Sequence, residues 1–384
     1  MTFEFATAKR IVFGEGSLQQ IGKITAGLGR DVLVIHGLAG DGFQQLVNLL
    51  EKENLRVTSL RVQGEPELHQ VEHYVQVGRQ AGVTTVIGFG GGSALDAAKA
   101  TAAMLANAGD LLDYLEVVGK GQSLHNPALP WVAIPTTAGT GSEVTRNAVL
   151  SVPEKKVKVS LRSAGMLASV ALIDPLLTLS LPPAVTASTG MDALAQVLEP
   201  FVSRRANPMT DIFCRDGMAC SARSLRRAYF DGGDVAARTE LCRASLMGGL
   251  ALANAGLGAV HGFAAPIGGM FNAPHGAICA RLLPLVTRAN IDAFRKRAPE
   301  SPVIGRYDEA ARILTGDPVA RADDGVAWLT QLCADLEIPG LGQYGVQTGD
   351  LKEIVHRARE ASSMKANPLD LTETELVDVL EAAL

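Results

Sequence analysis

The first half of the chain alternates short apolar runs with amphipathic helical patterns. The apolar runs are continuous and rich in β-branched residues, and they lie at 10–13, 32–36, 57–62, 84–89 and 131–134. Helical patterns separate them at 16–26, 42–53, 68–80 and 94–108. Continuous apolar strands between amphipathic helices are typical of a parallel sheet covered on both faces. The pattern therefore predicts a doubly wound α/β domain, to which 170–174 adds a further buried strand.

The second half of the chain has a different pattern. Beyond Leu181-Pro182-Pro183 there is no convincing strand signal, and helical patterns lie at 236–253, 304–314, 320–336 and 372–384. A chain of 384 residues is also too long for one core of ordinary size. We therefore expect an α/β domain over 1–180 and an all-helical domain over 181–384.

Charge and cysteine usage restrict the partners and the compartment. The net charge of −5, without a dense Lys/Arg run, excludes a nucleic-acid partner. Five cysteines without a Cys-x-x-Cys pair indicate reduced thiols. The N-terminus carries charges where a signal peptide needs an apolar core, and the uncharged tract 244–280 is too broken for a membrane span. We expect a cytoplasmic protein with no membrane partner.

A glycine-rich turn, Gly90-Gly91-Gly92-Ser93, follows the run at 84–89 and precedes a helical pattern. Glycines let a backbone approach a phosphate closely, and a helix N-terminus offers free N–H groups to an anion. The turn therefore predicts a diphosphate site, although a tight strand-to-helix turn would look the same. It does not follow the first strand, so an ordinary Rossmann fingerprint is not indicated.

A second polar loop, at 135–143, follows the run at 131–134 and is rich in Thr, Gly and Ser. Its hydroxyl groups would lie at the carboxyl edge of a parallel sheet, where ligands bind in open α/β folds. A loop that satisfies its own backbone remains the alternative.

Two of the seven histidines, His261 and His275, lie in an apolar segment of small residues. A continuous helix would separate them by ~21 Å, whereas two ligands of one metal ion each lie ~2 Å from it. If they share an ion, the chain must fold back, and the residues that would provide the breaks are Pro266, Gly268, Gly269, Asn272 and Pro274. Otherwise they are polar residues at helix ends.

Asp192 and Gln196 lie one turn apart on the same face of a predicted helix. An aspartate with two histidines is a reasonable site for a metal ion of borderline softness, with a position left open for substrate. A helix-start aspartate and a surface glutamine would be the simpler interpretation.

Taken together, these motifs resemble the iron-containing (group III) alcohol dehydrogenase family over essentially the whole chain. The matching segments are 5–7, 11–14, 90–93 with Asp96 and Lys99, 135–143, 192–194, 260–262, 272–276, and 367–368 with Thr372. The resemblance implies an N-terminal α/β dinucleotide-binding domain and an all-helical C-terminal domain for metal and substrate.

The resemblance also implies residues that bind NAD(P)H. It assigns the diphosphate to Gly91, Gly92 and Ser93, with Asp96 in the same motif. Further cofactor contacts are implied for Thr136, Thr137, Thr140 and Lys158. NAD-preferring members have an Asp at the position of Gly37, and its absence leaves room for a 2′-phosphate. We therefore expect NADP(H) to be accepted.

For the metal, the resemblance implies a site formed by Asp192, His261 and His275, with Gln196 where the family has a further histidine. An amide oxygen is a weaker, harder donor than imidazole, so Zn(II) becomes at least as favourable as Fe(II). Ala265 replaces a histidine that contacts substrate or nicotinamide in many members, which removes any proton relay through that side chain.

The predicted reaction is hydride transfer between an alcohol carbon and the nicotinamide, with Asp192, His261 and His275 acting through the metal. The partners are a small alcohol or aldehyde and further copies of the chain, with a dimer favoured. Three alternatives remain open: a maleylacetate-reductase-like enzyme that needs no metal, a dehydroquinate-synthase-like lyase, and a non-catalytic nucleotide-binding protein.

Overall fold

A computed structural model describes residues 2–37, 40–155, 157–271 and 273–384. Its residues form two compact units. The first, the α/β unit, contains Ala6–Thr137 and Gly141–Ser180. The second, the helical unit, contains Leu181–Leu384 together with Ala138–Thr140 and the N-terminal residues up to Phe5. The sequence predicts a boundary at residue 180 between two domains that fold independently. Compact units do not test independent folding, so this boundary stays a proposal.

The α/β unit is built on a six-stranded parallel sheet. The strands of the unit are β1 (Ile11–Phe13), β2 (Asp31–His36), β3 (Arg56–Arg61), β4 (Thr85–Gly90), β5 (Trp131–Pro135), β6 (Asn147–Val152), β7 (Val157–Arg162) and β8 (Val170–Ile173). The sheet order is β1-β8-β5-β4-β2-β3, and each of its pairs is parallel. Its central strands are almost fully buried, as their continuous apolar sequences require. The predicted parallel α/β architecture is confirmed.

The helices of the α/β unit lie between the strands. They are α1 (Ile21–Ala26), α2 (Asp41–Glu51), α3 (Leu68–Gln80), α4 (Gly92–Ala106) and α5 (Leu111–Tyr114). The helix predicted over 16–26 is a 3₁₀ turn at Ser17–Gln20 followed by α1. Between β5 and β8 the chain also forms an antiparallel pair, β6–β7.

The helical unit has no strand among its described residues. Its helices are α6 (Pro183–Val202), α7 (Pro208–Phe230), α8 (Val235–Ala255), α9 (Ala259–Phe271), α10 (His275–Arg297), α11 (Pro302–Thr315), α12 (Ala322–Asp335), α13 (Leu351–Glu360) and α14 (Glu373–Ala383). The remaining short 3₁₀ turns of the chain are Ser142–Val144, Pro153–Lys155, Ala164–Met166, Pro175–Thr178, Leu341–Tyr344, Thr348–Asp350 and Met364–Ala366. The predicted all-helical C-terminal region is thus confirmed.

No described helix is by itself long and apolar enough to span a membrane. Helices α8 and α9 reach that length and hydropathy only as a pair, and the pair bends by 98° at the break between them.

Candidate metal centre and nucleotide-binding loops

One face of α6 carries three buried polar side chains, Asp192, Gln196 and Glu199. Their spacing of four and then three residues places them one above the other along the helix. The Asp192 side chain is only 2% exposed. Buried carboxylates are costly unless they are paired or bind a cation, so this face must have partners.

His261 and His275 lie close together because one helix ends and the next begins between them. Helix α9 runs to Phe271, and α10 begins at His275 with Pro274 as its N-cap. The ring centroids of His261 and His275 are 5.4 Å apart.

The predicted breaks at Pro266, Gly268 and Gly269 are wrong, because all three residues lie inside α9. Helix α9 packs against α10 and α13, and this tertiary packing outweighs the low helix propensity of proline and glycine. Of the other two predicted breaks, Pro274 is confirmed as the N-cap of α10, and Asn272 lies outside the described residues.

Four candidate ligand atoms converge at this point, from Asp192, His261, His275 and Cys279, and all lie within 4.8 Å of one another. The Asp192 Oδ1 atom is 3.2 Å from His261 Nε2 and 3.8 Å from His275 Nε2. The Cys279 Sγ atom is 3.6 Å from His275 Nε2. The His275 side chain is 39% exposed, so one side of the cluster remains accessible.

Glu199 holds His261 from the side opposite Asp192. Its Oε2 atom is 2.6 Å from His261 Nδ1, and its Oε1 atom accepts a 2.8 Å hydrogen bond from the Val260 backbone N–H. Because the carboxylate can only accept, Nδ1 donates its proton to Glu199, which leaves Nε2, the atom facing Asp192 Oδ1, as the ring nitrogen that would bind a metal once its own proton is displaced. A carboxylate behind a histidine in this way is a common arrangement at metal sites.

The start of α9 is capped by a distant residue. Asn367 Oδ1 accepts a 3.1 Å hydrogen bond from the Ala259 N–H, and its amide donates to Asn290 Oδ1 and to the Leu369 carbonyl. A helix start has backbone N–H groups without intrahelical partners, and Asn367 satisfies one of them two residues before His261. This contact gives a physical role to the Asn367-Pro368 motif.

The electrostatics of the cluster favour positive charge. Burial opposes charging of the imidazoles, but Cys279 and Glu199 raise the pKa of His261 well above its ordinary value. Against the same effect of burial, Cys279 and Asp192 raise the pKa of His275 to about 9. Burial alone would raise the pKa of Asp192, yet the two histidines lower it. Surroundings that stabilise a proton here also stabilise a metal cation.

Gln196 is buried, contrary to its interpretation as a surface residue. Its Nε2 atom donates a 3.0 Å hydrogen bond to Asp192 Oδ2, while its Oε1 atom has no hydrogen-bond partner among the described residues. This orientation leaves Asp192 Oδ1 directed at the histidines. The clustered N, O and S donors of Asp192, His261, His275 and Cys279 fit a divalent metal ion.

No role is predicted from the sequence for three residues of this region, Glu199, Cys279 and Asn367, although Asn367 lies in one of the segments that match the family. Helical spacing contained a signal for the first two, since Glu199 follows Asp192 by seven residues and Cys279 follows His275 by four. Nothing local connects Asn367 to α9.

Glu199→Gln tests the role of this carboxylate. A glutamine amide facing Nδ1 would favour the other tautomer, in which the proton occupies Nε2 and blocks the ligand atom. We expect the affinity for Zn(II) to fall by about 10- to 100-fold, measured by competition with a chelator. Glu360→Gln, at an exposed position, is the matched control. Unchanged affinity in Glu199→Gln would show that Glu199 does not orient the ligand.

The glycine turn lies between β4 and α4, as the sequence predicts. Gly90 has φ +154°, and a Cβ there would lie 2.7 Å from Ala94 Cβ, so a larger residue would be strained. Gly91 is the N-cap of α4, and its carbonyl accepts hydrogen bonds from the Ala94 and Leu95 N–H groups. The first N–H groups of the helix, at Gly92 and Ser93, are those that an N-terminus offers to an anion.

Asp96 and Lys99 on α4 form hydrogen bonds to the end of the second polar loop and to the residues that follow it. Asp96 accepts hydrogen bonds from Ser142 Oγ (2.6 Å) and the Val149 N–H (3.0 Å). The fully buried Lys99 ammonium donates to Ser142, Thr145 and the Asn147 carbonyl. One oxygen of Asp96 therefore contacts the loop and the other contacts β6, and its direct contact with a cofactor stays a prediction.

The threonines of the second polar loop divide between the two units. Thr136 donates its N–H to the Gly90 carbonyl at 2.9 Å. Thr137 lies beside the turn as well, since a Cβ on Gly91 would be 3.3 Å from its methyl group. Thr140 belongs to the helical unit, where the neighbouring Gly139 packs tightly on Thr189 of α6.

The other two predicted cofactor residues lie on β7 and after β2. Lys158 forms a 2.6 Å ion pair with Glu65. Gly37 directly follows β2 and donates its N–H to the Phe89 carbonyl, at the same edge of the sheet as the glycine turn. The roles of both residues toward a cofactor stay predictions.

The glycine turn follows β4 and the second unit is helical, and this architecture differs from that of ordinary Rossmann dehydrogenases. The family models "Iron-containing alcohol dehydrogenase" and "Fe-containing alcohol dehydrogenase family, C-terminal" match residues 8–175 and 186–384. The chain belongs to the iron-containing alcohol dehydrogenase family and is an alcohol oxidoreductase. The lyase and the non-catalytic alternative are therefore not favoured.

Individual relatives agree with this membership. The chain is 34% identical to alcohol dehydrogenase 4 of Saccharomyces cerevisiae, covering 97% of this chain and 96% of the yeast protein. Its structure resembles that of a 1,3-propanediol oxidoreductase, with a TM-score of 0.93, 32% identity and complete coverage of both chains. It also resembles the sulfoacetaldehyde reductase of Bifidobacterium kashiwanohense in complex with NAD+, with a TM-score of 0.87, 28% identity and 100% and 99% coverage.

Proposed function

We propose that this protein is a metal-dependent, NAD(P)H-dependent enzyme that interconverts a small alcohol with its aldehyde or ketone by hydride transfer. The observation that carries the proposal is the convergence of Asp192 Oδ1, His261 Nε2 and His275 Nε2, in which the Asp192 and His261 side chains are buried. A cluster of this kind is expensive to bury unless it binds a cation.

Asp192, His261 and His275 would hold one divalent ion, Fe(II) or Zn(II). Such an ion supplies Lewis-acid polarisation of a substrate oxygen. The protein positions the ligands: Gln196 holds one oxygen of Asp192, and Glu199 would hold the Nδ1 proton of His261 while Nε2 binds the ion. The exposed edge of His275 marks the side from which a substrate oxygen can approach.

The nicotinamide cofactor is assigned to the glycine turn, with its diphosphate at Gly91, Gly92 and Ser93. Support comes from the position of Gly91 as N-cap of α4, from the family, and from the relative described in complex with NAD+. Thr136 and Thr137 follow the neighbouring strand β5 and would contact the nicotinamide side. The cofactor provides the hydride, and the protein provides binding and orientation.

The test combines metal analysis with cofactor oxidation. Purified protein should contain one divalent ion per chain, and it should oxidise NADH or NADPH in the presence of a panel of short aldehydes and ketones. Chelation should abolish the activity, and added Zn(II) or Fe(II) should restore it. Full activity after removal of the metal would instead support the maleylacetate-reductase-like alternative.

Gly37→Asp should change cofactor preference toward NADH. A carboxylate at this position would accept a hydrogen bond from a ribose 2′-hydroxyl and repel a 2′-phosphate. Space is available, since the added Cβ would be 3.8 Å from Ala94 Cβ. We expect the ratio of kcat/KM for NADPH to that for NADH to fall by about tenfold or more. Gly37→Asn is the uncharged control, and equal ratios in both variants would contradict the assignment.

We also propose a homodimer. Strand β1 lies at the edge of the sheet and exposes Ile11 (36%) and Phe13 (37%). An edge strand with unpaired backbone groups and exposed apolar side chains favours pairing with a second copy. Analytical ultracentrifugation tests this directly, and a monomer at micromolar concentration would refute it.

A further inference from the structure

Cys279 lies in the metal-binding cluster, although the family pattern suggested no role for it. It follows His275 by four residues on α10, so the two side chains share one face of the helix. The Cys279 side chain is fully buried, and its Sγ atom is 3.6 Å from His275 Nε2. Cysteine is therefore a fourth potential ligand, supplied by the same helix turn as His275.

Two of the separations between these atoms match those expected between ligands of one ion with tetrahedral angles, and a substrate oxygen would then add as a fifth ligand. Bond lengths of about 2.3 Å to sulfur and about 2.05 Å to nitrogen place S and N ligands roughly 3.6 Å apart, and N and O ligands roughly 3.4 Å apart. The observed values are 3.6 Å for Cys279 Sγ to His275 Nε2 and 3.2 Å for Asp192 Oδ1 to His261 Nε2. The distance from Asp192 Oδ1 to His275 Nε2 is 3.8 Å.

Gln196 is placed differently from a ligand. Its amide group donates to Asp192 Oδ2, the oxygen that does not face the histidines. A carboxylate only accepts hydrogen bonds, so the amide must present its NH₂ group rather than its oxygen to Asp192. Gln196 is thus a positioning residue behind Asp192, and the position of the missing imidazole needs another donor.

We propose that Cys279 is that donor and binds the metal as a thiolate. The inference rests on the proposed metal-dependent function. Ligation replaces the S–H bond by an S–metal bond and releases one proton to solvent, with no change of oxidation state. A thiolate is a soft ligand, so the set Asp192, His261, His275 and Cys279 favours Zn(II) over Fe(II) more strongly than an all-nitrogen-and-oxygen set would.

X-ray absorption at the zinc edge tests the proposal without any mutation. The metal-free protein is reconstituted with Zn(II) alone, and the expected result is one sulfur neighbour at about 2.3 Å in addition to N and O neighbours. Stoichiometric zinc with only N and O neighbours would overturn the role of Cys279 but leave the metal-dependent function standing. Failure to bind zinc at all would overturn both.

Cobalt substitution provides a second measurement. Co(II) bound to a thiolate shows an intense sulfur-to-metal charge-transfer band in the near ultraviolet, and we expect this band in the wild type. Cys279→Ser and Cys279→Ala should lose the band and bind Zn(II) roughly 100-fold more weakly or worse, since even residues behind the ligands contribute 10- to 100-fold. Persistence of the band in both variants would exclude Cys279 as its source.

Two further variants serve as controls. Cys333→Ala removes a buried cysteine whose Sγ lies 3.3 Å from the Ala280 carbonyl, outside the cluster, and it should keep the band. Gln196→Ala should weaken metal binding by about 10- to 100-fold but keep the band, because Gln196 acts through Asp192. If Gln196→Ala lost both the charge-transfer band with Co(II) and the sulfur neighbour with Zn(II), Gln196 would be needed for the thiolate to bind, and its assignment as a residue acting only through Asp192 would be wrong.

Discussion

His261→Ala is expected to lose the bound metal and to lower kcat/KM by at least about 1000-fold. The substitution removes one ligand and leaves the buried Glu199 carboxylate without its imidazole partner. Loss of Lewis-acid stabilisation worth about 4 kcal/mol corresponds to a factor of roughly 1000. The measurements are metal content per chain and the rate of NAD(P)H oxidation with an aldehyde.

The position of His261 makes a fold control necessary. Circular dichroism and thermal unfolding show whether the variant retains its helices, and NAD(P)H binding shows whether the α/β unit is intact. His69→Ala, at a side chain 67% exposed, is the matched histidine control and should keep metal and activity. A folded His261→Ala protein with wild-type turnover would refute the metal mechanism.

Gly91→Asp is expected to weaken NAD(P)H binding by about 100-fold or more while leaving the fold intact. Gly91 is the N-cap of α4 with φ −75°, a conformation that aspartate adopts easily. Aspartate is a favourable N-cap, so helix stability should be unchanged or improved. Repulsion between this carboxylate and a cofactor diphosphate about 4 Å away would cost about 4 kcal/mol at an effective dielectric constant of 20. Even if solvent screens part of this repulsion, the loss of cofactor affinity remains large.

Gly91→Asn separates charge from size. Both side chains meet the Thr137 methyl group, which lies 3.3 Å from the added Cβ. Asparagine caps the helix as aspartate does but carries no charge, so its effect on the dissociation constant should be clearly smaller. Titration of NADH fluorescence gives both constants, and metal content should match the wild type. Equal constants for the Asp, Asn and wild-type proteins would place the diphosphate elsewhere.

The two predictions concern different units, and each expects the loss of a different ligand. His261→Ala should lose metal but keep nucleotide binding, whereas Gly91→Asp should lose nucleotide binding but keep metal. A protein in which both variants lose both ligands would indicate misfolding instead of two assigned sites. Measured together, they therefore test the site assignments independently of the family resemblance.

The sequence by itself determined the features that depend on short-range pattern. Continuous apolar runs between amphipathic helices specified a covered parallel sheet, and the glycines after the run at 84–89 specified the turn between β4 and α4. The spacing of Asp192 and Gln196 placed them on one helix face. Each of these features follows from the period of a helix or strand or from the conformational freedom of glycine.

Only the tertiary structure decided how the metal-binding cluster is assembled. Local propensity predicted helix breaks at Pro266 and the following glycines. Packing of α9 keeps these residues helical, so that the helix ends only at Phe271, shortly before His275. Packing also decided that Gln196 faces Asp192 and that Cys279 reaches the histidines. Asn367 caps α9 from 108 residues away. Such contacts depend on how whole helices pack in three dimensions, which no local spacing encodes.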